Sequence, residues 1–186
     1  MEVTATRSSA APAVGFVAGD RILGIDPGLG LTGYGCLELR SGNGEPRVTD
    51  AGVLRLKTRA PIAYRLLELF EDLTGLLDEL RPRLMVVEQL FSHYRHVRTS
   101  ILMGHARGVV LLAGQSRGIE IGELQPTEVK KAITGYGHAT KLQMQQAVQA
   151  QCRLTELPSP HDVADAIAIA LVAARRLAIL PGAGRS

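Results

Sequence analysis

Two acidic residues follow apolar segments at points where a carboxylate is costly to bury. Asp26 comes directly after the apolar run Ile22–Ile25, and Glu88 comes directly after Leu84–Val87. An ionised carboxylate among buried apolar residues needs a cation or hydrogen-bond donors to offset its lost hydration. Binding sites of α/β proteins are commonly built at such strand ends. The positions therefore indicate one shared site, although an aspartate before Pro-Gly is also ordinary turn chemistry.

Two further acids lie three residues apart at the start of a predicted helix. At that spacing the side chains of Asp162 and Asp165 share one helix face. Aspartate in the first turn of a helix is favoured for stability alone, and Asp162 fits that explanation. Asp165 fits it less well, because the apolar run Ala166–Ala170 follows and puts its face on the core side. The neighbouring His161 has the chemistry of a ligand or base, but a lone histidine flanking a helix start is more often incidental.

Together the four carboxylates predict a site for hard divalent cations. Mg²⁺ and Mn²⁺ take oxygen ligands in octahedral geometry and leave positions for water and substrate phosphate. Two such ions about 3.5–4 Å apart stabilise the attacking and the leaving oxygen of a phosphodiester displacement. Cys36 and Cys152 lack the spacing of a disulfide framework or a zinc site, and no His/Cys cluster indicates zinc.

The chain of 186 residues has 21 Lys and Arg against 18 Asp and Glu, and the positive excess lies in its middle. Between residues 89 and 141, seven Lys and Arg stand against three Glu, whereas the remainder has fourteen against fifteen acids. A concentrated basic surface is what a polyphosphate partner requires. A helix surface wetted by Arg and Lys explains the pattern equally well, so charge alone leaves both interpretations open.

Composition predicts one soluble, cytoplasmic domain. The 46% apolar content supplies a core and excludes a wholly disordered chain. The longest apolar run, Ala166–Ala174, is too short for a bilayer span, which takes about 20 residues. We expect residues 1–20 to form a flexible Ala-, Ser- and Gly-rich tail, residues 21–180 a single domain, and residues 181–186 a C-terminal tail.

The elements that must position these acids follow the order of three strands, then alternating helices and strands, then helices. Strands are predicted at Arg21–Ile25, Thr32–Leu39, Arg47–Lys57 and Leu84–Val87, and a fifth strand is predicted to begin at Ile119–Ile121. Helices are predicted between Pro61 and Pro82 and at Val97–Arg117, Pro126–Thr134, Lys141–Cys152 and His161–Leu180. Short turns join the first three strands, which are therefore antiparallel. The pattern predicts an α/β fold with a mixed five-stranded sheet and helices on both faces.

Several ordered motifs resemble the RuvC family of Holliday junction resolvases. They are Ile22–Gly28, Thr32–Gly35, Val87–Phe91, Ala106–Gly108, Gln125–Lys130 and Asp162–Ala166. The likeness covers about residues 21–179 and implies a ribonuclease H-like fold, which matches the predicted order of elements. Members of the family usually begin almost at the first strand, so residues 1–20 are a departure from it.

The resemblance also implies a function. A member of this family would be a structure-selective endonuclease that resolves four-way DNA junctions by paired, symmetric, metal-dependent hydrolysis during recombination and repair. It would act as a homodimer, use Mg²⁺ or Mn²⁺ with two ions per subunit, and work with a branch-migration motor, RuvA–RuvB. By motif, Asp26, Glu88, Asp162 and Asp165 would be the metal-binding catalytic acids; some members carry His at the position of Asp162.

Residues between the acidic motifs are candidates for DNA contacts. Phe91 and Tyr94 lie beside Arg95, and aromatic residues among cations indicate base stacking, with packing at the edge of the core as the alternative. The resemblance implies base contacts for Phe91, a DNA-facing pair for Tyr94 and Arg95, and DNA-backbone contacts for Lys130 and Lys141. It further implies dimerisation through the predicted helix at residues 97–117, which could instead pack only on its own sheet.

Three other interpretations remain open from the sequence. A related ribonuclease H-like nuclease could act on another nucleic acid, since the acids alone do not select a substrate. An actin-like ATPase or kinase also has a phosphate loop that resembles the GIDPG segment, but that architecture requires two such domains. A non-catalytic junction-binding module would leave the four acids unexplained.

Overall fold

The computed structural model describes residues 15–41, 44–90 and 97–179, with the backbone alone at 97, 98, 178 and 179. Its strands are β1 (Arg21–Asp26), β2 (Leu31–Glu38), β3 (Arg47–Arg55), β4 (Leu84–Glu88) and β5 (Glu120–Leu124). Its helices are α1 (Ile62–Leu80), α2 (Val97–Ser116), α3 (Pro126–Thr134), α4 (Lys141–Cys152) and α5 (His161–Ile179). None of these helices is long and apolar enough to cross a membrane.

The five strands form one mixed sheet in the order β3-β2-β1-β4-β5. β2 pairs antiparallel with both β1 and β3. β4 pairs parallel with β1, and β5 pairs parallel with β4. A helix connects each parallel step, as such crossovers require. The predicted mixed five-stranded sheet is confirmed.

The strand bounds differ from the sequence-based prediction by two residues at the end of β3. β3 ends at Arg55, because the amide of Lys57 donates to the Glu68 carboxylate of α1 and leaves the ladder. The fifth strand begins where the sequence predicts it, and β5 continues to Leu124 although Gly122 and Glu123 interrupt its apolar pattern, because it pairs with β4 along its whole length. Pairing with a neighbouring strand here outweighs the local sequence pattern.

Alternation along the strands divides the interior into two cores. Ile22 of β1 and Val86 of β4 face a core that includes α3, α4 and α5. The neighbouring residues Leu23 and Val87 point to the opposite face, where they pack with α1 and α2. Helices therefore cover both faces of the sheet, as predicted.

The described part of the chain before β1 packs against the domain. The guanidinium of Arg83 lies 4.4 Å from the ring centroid of Phe16, and its Nη1 donates to the carboxylate of Asp20 at 2.5 Å. The amide of Gly19 donates to the carbonyl of Leu39, which continues the pairing beyond β1. Residues 15–20, which the sequence assigns to a flexible tail, thus belong to the folded unit.

Candidate active site

The register of the parallel strands brings two predicted acids side by side. Ile25 of β1 pairs with Val87 of β4, so the next residues, Asp26 and Glu88, lie at the same edge of the sheet. Asp26 lies two residues after Gly24, and Glu88 lies two residues after Val86, which faces the α5 core. Alternation therefore directs both carboxyl groups toward the face that α5 covers.

Glycines in the sheet allow the backbone of α5 to approach the strands directly. A Cβ atom on Gly33 would lie 2.2 Å from the carbonyl oxygen of Asp162, and one on Gly24 would lie 2.1 Å from that of Ala166. Gly35 makes a similarly close approach to the backbone of Ile167. No other residue type fits at these distances, so the glycines fix the height of α5 above the sheet.

This approach brings Asp165 to the acids on the strands. Asp26, Glu88 and Asp165 line one cavity of about 80 Å³. The remaining wall comes from α3 and α4, through Pro126, Val129, Lys130 and Met144. Three of the four acids predicted from the sequence therefore share a single cavity, with a lysine in its wall.

The pKa values of the carboxyl groups that line the cavity are raised above their ordinary range. Burial raises the pKa of Asp26 to about 8, and repulsion from Glu88, Asp165 and Asp162 adds to that shift. Burial and repulsion from Asp165 raise the pKa of Glu88 to about 7. Burial likewise raises the pKa of Asp165. The acids lack sufficient neutralising charge from the protein alone.

Two lysines act against this repulsion. Lys130 lowers the pKa of both Glu88 and Asp165, and Lys141 lowers the pKa of both Asp26 and Asp165, although burial outweighs both cations. Lys130 lies in the wall of the cavity, and Lys141 is the first residue of α4. The two lysines predicted to bind the DNA backbone thus adjoin the acids.

The fourth acid, Asp162, adjoins the other three but does not line the cavity. Its Oδ2 atom is buried and has no hydrogen-bond partner in the described parts of the chain. The closest cationic candidate is Nδ1 of His161, at 3.6 Å. A buried carboxylate oxygen without a hydrogen-bond partner is available as a ligand for a cation.

The donor set fits a hard divalent cation. Every candidate ligand is a carboxylate oxygen, and the buried negative charge is not balanced, which suits Mg²⁺ or Mn²⁺. Within residues 15–41, 44–90 and 97–179, no three acidic, His or Cys side chains already stand in the arrangement of a metal centre. The fit therefore rests on the chemistry and burial of the acids, with side-chain adjustment needed for coordination.

Other residues fix the strand end that carries Asp26. The fully buried hydroxyl of Thr32 donates to the carbonyl of Gly28 at 2.7 Å and accepts from its amide at 3.2 Å. Arg65 of α1 donates to the carbonyl of Leu29. The loop after Asp26 is thereby held from two sides, which limits movement of the acid.

The other residues that the sequence predicts to contact DNA lie outside the described part of the chain. They are Phe91, Tyr94 and Arg95. Before them, the amide of Gln89 donates to the carbonyl of Leu124 at 2.9 Å, which anchors the chain at the end of β4.

Two arginines of the basic middle segment are engaged in ion pairs. Arg107 pairs with Glu123, and Arg117 binds both carboxylate oxygens of Asp78, at 2.8 and 2.9 Å. The positive charge predicted for this segment is therefore partly neutralised within the protein. Among the described Lys and Arg side chains, Lys130 and Lys141 are the ones that lower the pKa values of the buried acids, and His161 also lowers that of Asp165.

Sequence reasoning missed how α5 reaches the sheet. Gly24 on β1 and Gly33 and Gly35 on β2 alternate on one face, opposite an alanine-rich helix. Small residues at every second position of a strand, opposite small residues on a helix, indicate that the helix backbone lies close to the sheet. The sequence also did not predict Met144 in the cavity wall or the contact between Lys141 and His161.

Comparison with known proteins agrees with this geometry. Residues 22–173 match the family described as crossover junction endodeoxyribonuclease RuvC. A protein of that description from Rhodopirellula baltica is 47% identical over 152 residues, which cover 81% of this chain and 83% of the relative. One from Desulforamulus reducens is 42% identical over 150 residues, covering 81% and 90%.

A solved structure is also similar. The structure of Thermus thermophilus RuvC in complex with a Holliday junction substrate superposes with a TM-score of 0.74 at 32% sequence identity. The superposition covers 82% of this chain and 91% of that one.

Proposed function

The chain belongs to the RuvC family of crossover junction endodeoxyribonucleases, and from that premise we propose how its own residues carry out the family reaction. It is a hydrolase that resolves Holliday junctions in DNA recombination and repair. The nuclease family implies dependence on a divalent metal. The observation that supports a cutting site in this chain is the cavity that joins Asp26, Glu88 and Asp165.

In this proposal Asp26, Glu88, Asp162 and Asp165 hold Mg²⁺ or Mn²⁺, with two ions per subunit. When bound, such ions lower the pKa of an attacking water and stabilise the departing oxygen of the phosphodiester. The residues themselves supply fixed oxygen donors in a buried setting, which strengthens their attraction for a cation. The loop held by Thr32 and the close contact of α5 keep these donors in place.

Lys130 and Lys141 bind phosphates of the strand that is cut. Both lie beside the acids, where a lysine ammonium can neutralise DNA charge and orient the backbone. Phe91, Tyr94 and Arg95 follow within seven residues of Glu88, and we assign them to contacts with DNA bases near the cavity.

Cutting two symmetric strands requires two copies of the site, which we assign to a homodimer. The outer face of α2 carries Ile101 and Leu112, which are 55% and 60% exposed. Between them, Gly104 and Gly108 have open space where a side chain would project. An apolar stripe with small residues in its middle suits close contact with a second helix. Partnership with the motor RuvA–RuvB stays a prediction from the family.

A cleavage assay on matched substrates tests the function. We expect paired nicks in a labelled four-way junction with Mg²⁺ or Mn²⁺, and no cleavage in EDTA. Plain duplex of the same sequence and an RNA–DNA hybrid should be left intact. Equal cleavage of duplex or hybrid would instead indicate a ribonuclease H-like nuclease with another substrate.

A further inference from the structure

We propose that His161 is a positioning residue that holds the ammonium of Lys141 beside the cavity, where it meets a phosphate next to the bond that is cut. The proposal deepens the proposed function and rests on it. Lys141 Nζ lies 2.6 Å from Nε2 of His161. That distance is a short hydrogen bond, just below the roughly 2.7–2.9 Å usual for a charged nitrogen donor.

The contacts of His161 define the state of its ring. An ammonium has donors only, so Nε2 of the imidazole accepts from Lys141. The ring proton then lies on Nδ1, which is 3.6 Å from the orphaned Oδ2 of Asp162. The same imidazole ring thus contacts a cation of α4 through one nitrogen and faces an acid of α5 with the other.

The backbone on both sides of this contact is held in place. A capping box fixes the start of α4, because Thr140 and Gln143 exchange hydrogen bonds between side chain and backbone. Gln145 of α4 donates to the carbonyl of Pro158 at 2.8 Å, which ties the segment before α5 to α4. The side-chain torsions of Lys141 are then the main freedom left at this point, and His161 restricts them.

The position of Lys141 is not explained by helix stability. A cation at the first residue of a helix meets the positive end of the macrodipole, which is unfavourable. Its charge acts on the site instead, since Lys141 lowers the pKa of Asp26 and Asp165. A long exposed lysine would otherwise sample many rotamers, so a fixed acceptor increases the fraction of time it spends at the cavity.

Substitution of His161 should therefore act through Lys141. We expect His161→Ala to weaken binding of a labelled four-way junction in EDTA by about 3- to 10-fold, the size of one hydrogen bond. His161→Gln should restore most of the affinity, because a Gln side chain also offers an acceptor to the ammonium. His138→Ala is the matched control, since this exposed histidine contacts Tyr136 and not Lys141.

A double-mutant cycle separates positioning from other roles. In a Lys141→Met background, His161→Ala should cost no further affinity, because the group that it positions is already gone. Binding in EDTA excludes any contribution from metal coordination, and thermal unfolding of each variant checks its fold.

The proposal is overturned if His161→Ala binds like the wild type, or if it weakens binding equally with and without the Lys141 side chain. Failure of the proposed function would look different. In that case the wild type would leave the junction uncut in Mg²⁺, while the binding cycle in EDTA would still decide the role of His161.

Discussion

At the scale of single residues, Asp26 and Glu88 link stability to pH. Their folded pKa values, about 8 and about 7, exceed the values of 3.8 and 4.5 that apply without burial. Between these limits the folded protein binds more protons than the unfolded chain. The free energy of unfolding should therefore fall as pH rises from about 5 to 8, by at most about 1.4 kcal/mol per pH unit per proton.

Thermal unfolding in EDTA across this pH range measures the effect. Asp26→Asn removes one titrating group and should make the decline shallower, whereas Asp72→Asn on the exposed surface of α1 should not. Added Mg²⁺ should raise the midpoint more at pH 8.5 than at pH 6, since cations compete with protons for the carboxylates. A decline of the same steepness in wild type and Asp26→Asn would contradict the assigned pKa shifts.

Lys130 is expected to make a specific phosphate contact. Replacing it by Met should weaken junction binding and reduce the slope of log affinity against log salt by about one unit. Lys131→Met is the control, because this neighbour is exposed and does not line the cavity. Titrations between 50 and 200 mM salt, a range in which such contacts weaken by orders of magnitude, would show the difference. Identical slopes for the two variants would argue against a special role for Lys130.

At the scale of elements, the contact between α5 and the sheet sets the geometry of the acids. In Gly33→Ala the new methyl group would lie 2.2 Å from the Asp162 carbonyl, so the start of α5 must move. We expect a lower melting temperature, corresponding to about 1–3 kcal/mol, and at least a 10-fold slower cleavage rate.

The control for this change is Gly122→Ala on β5. There the nearest atom to a new Cβ is a methyl carbon of Val86 at 3.6 Å, an ordinary contact. Stability and cleavage should stay close to the wild type. If Gly33→Ala also melts and cuts like the wild type, the close approach does not position the acids.

The order of strands and helices could be predicted from the sequence, whereas the packing of α5 on the sheet could not. Strand and helix patterns predicted the sheet, because each apolar residue reports the face on which it is buried. They also indicated that Asp26 and Glu88 each end an apolar strand. They could not give the distance of α5 from the sheet or the contact of Lys141 with His161, since both depend on how separate elements pack. The end of β5 could not be predicted for the same reason, since its pairing with β4 continues through polar residues.

At the scale of the whole molecule, the proposed paired cutting depends on two subunits. Leu112→Glu places a charge on the exposed stripe of α2 and should convert the dimer to a monomer without unfolding it. Analytical ultracentrifugation at micromolar concentration would detect the change, and a junction assay should then show single instead of paired nicks. Leu67→Glu on α1, at a site 52% exposed, is the control. A wild-type protein that sediments only as a monomer would refute the dimer.

The proposed cutting site is formed by the buried acids Asp26, Glu88 and Asp165 at one edge of the sheet. Its most direct test is the single-turnover cleavage rate of Asp26→Asn on a four-way junction in Mg²⁺, with junction affinity measured in parallel. We expect Asp26→Asn to lose cleavage while it retains binding, and Asp72→Asn to cut like the wild type. Cleavage by Asp26→Asn at a rate near that of the wild type would contradict this proposal.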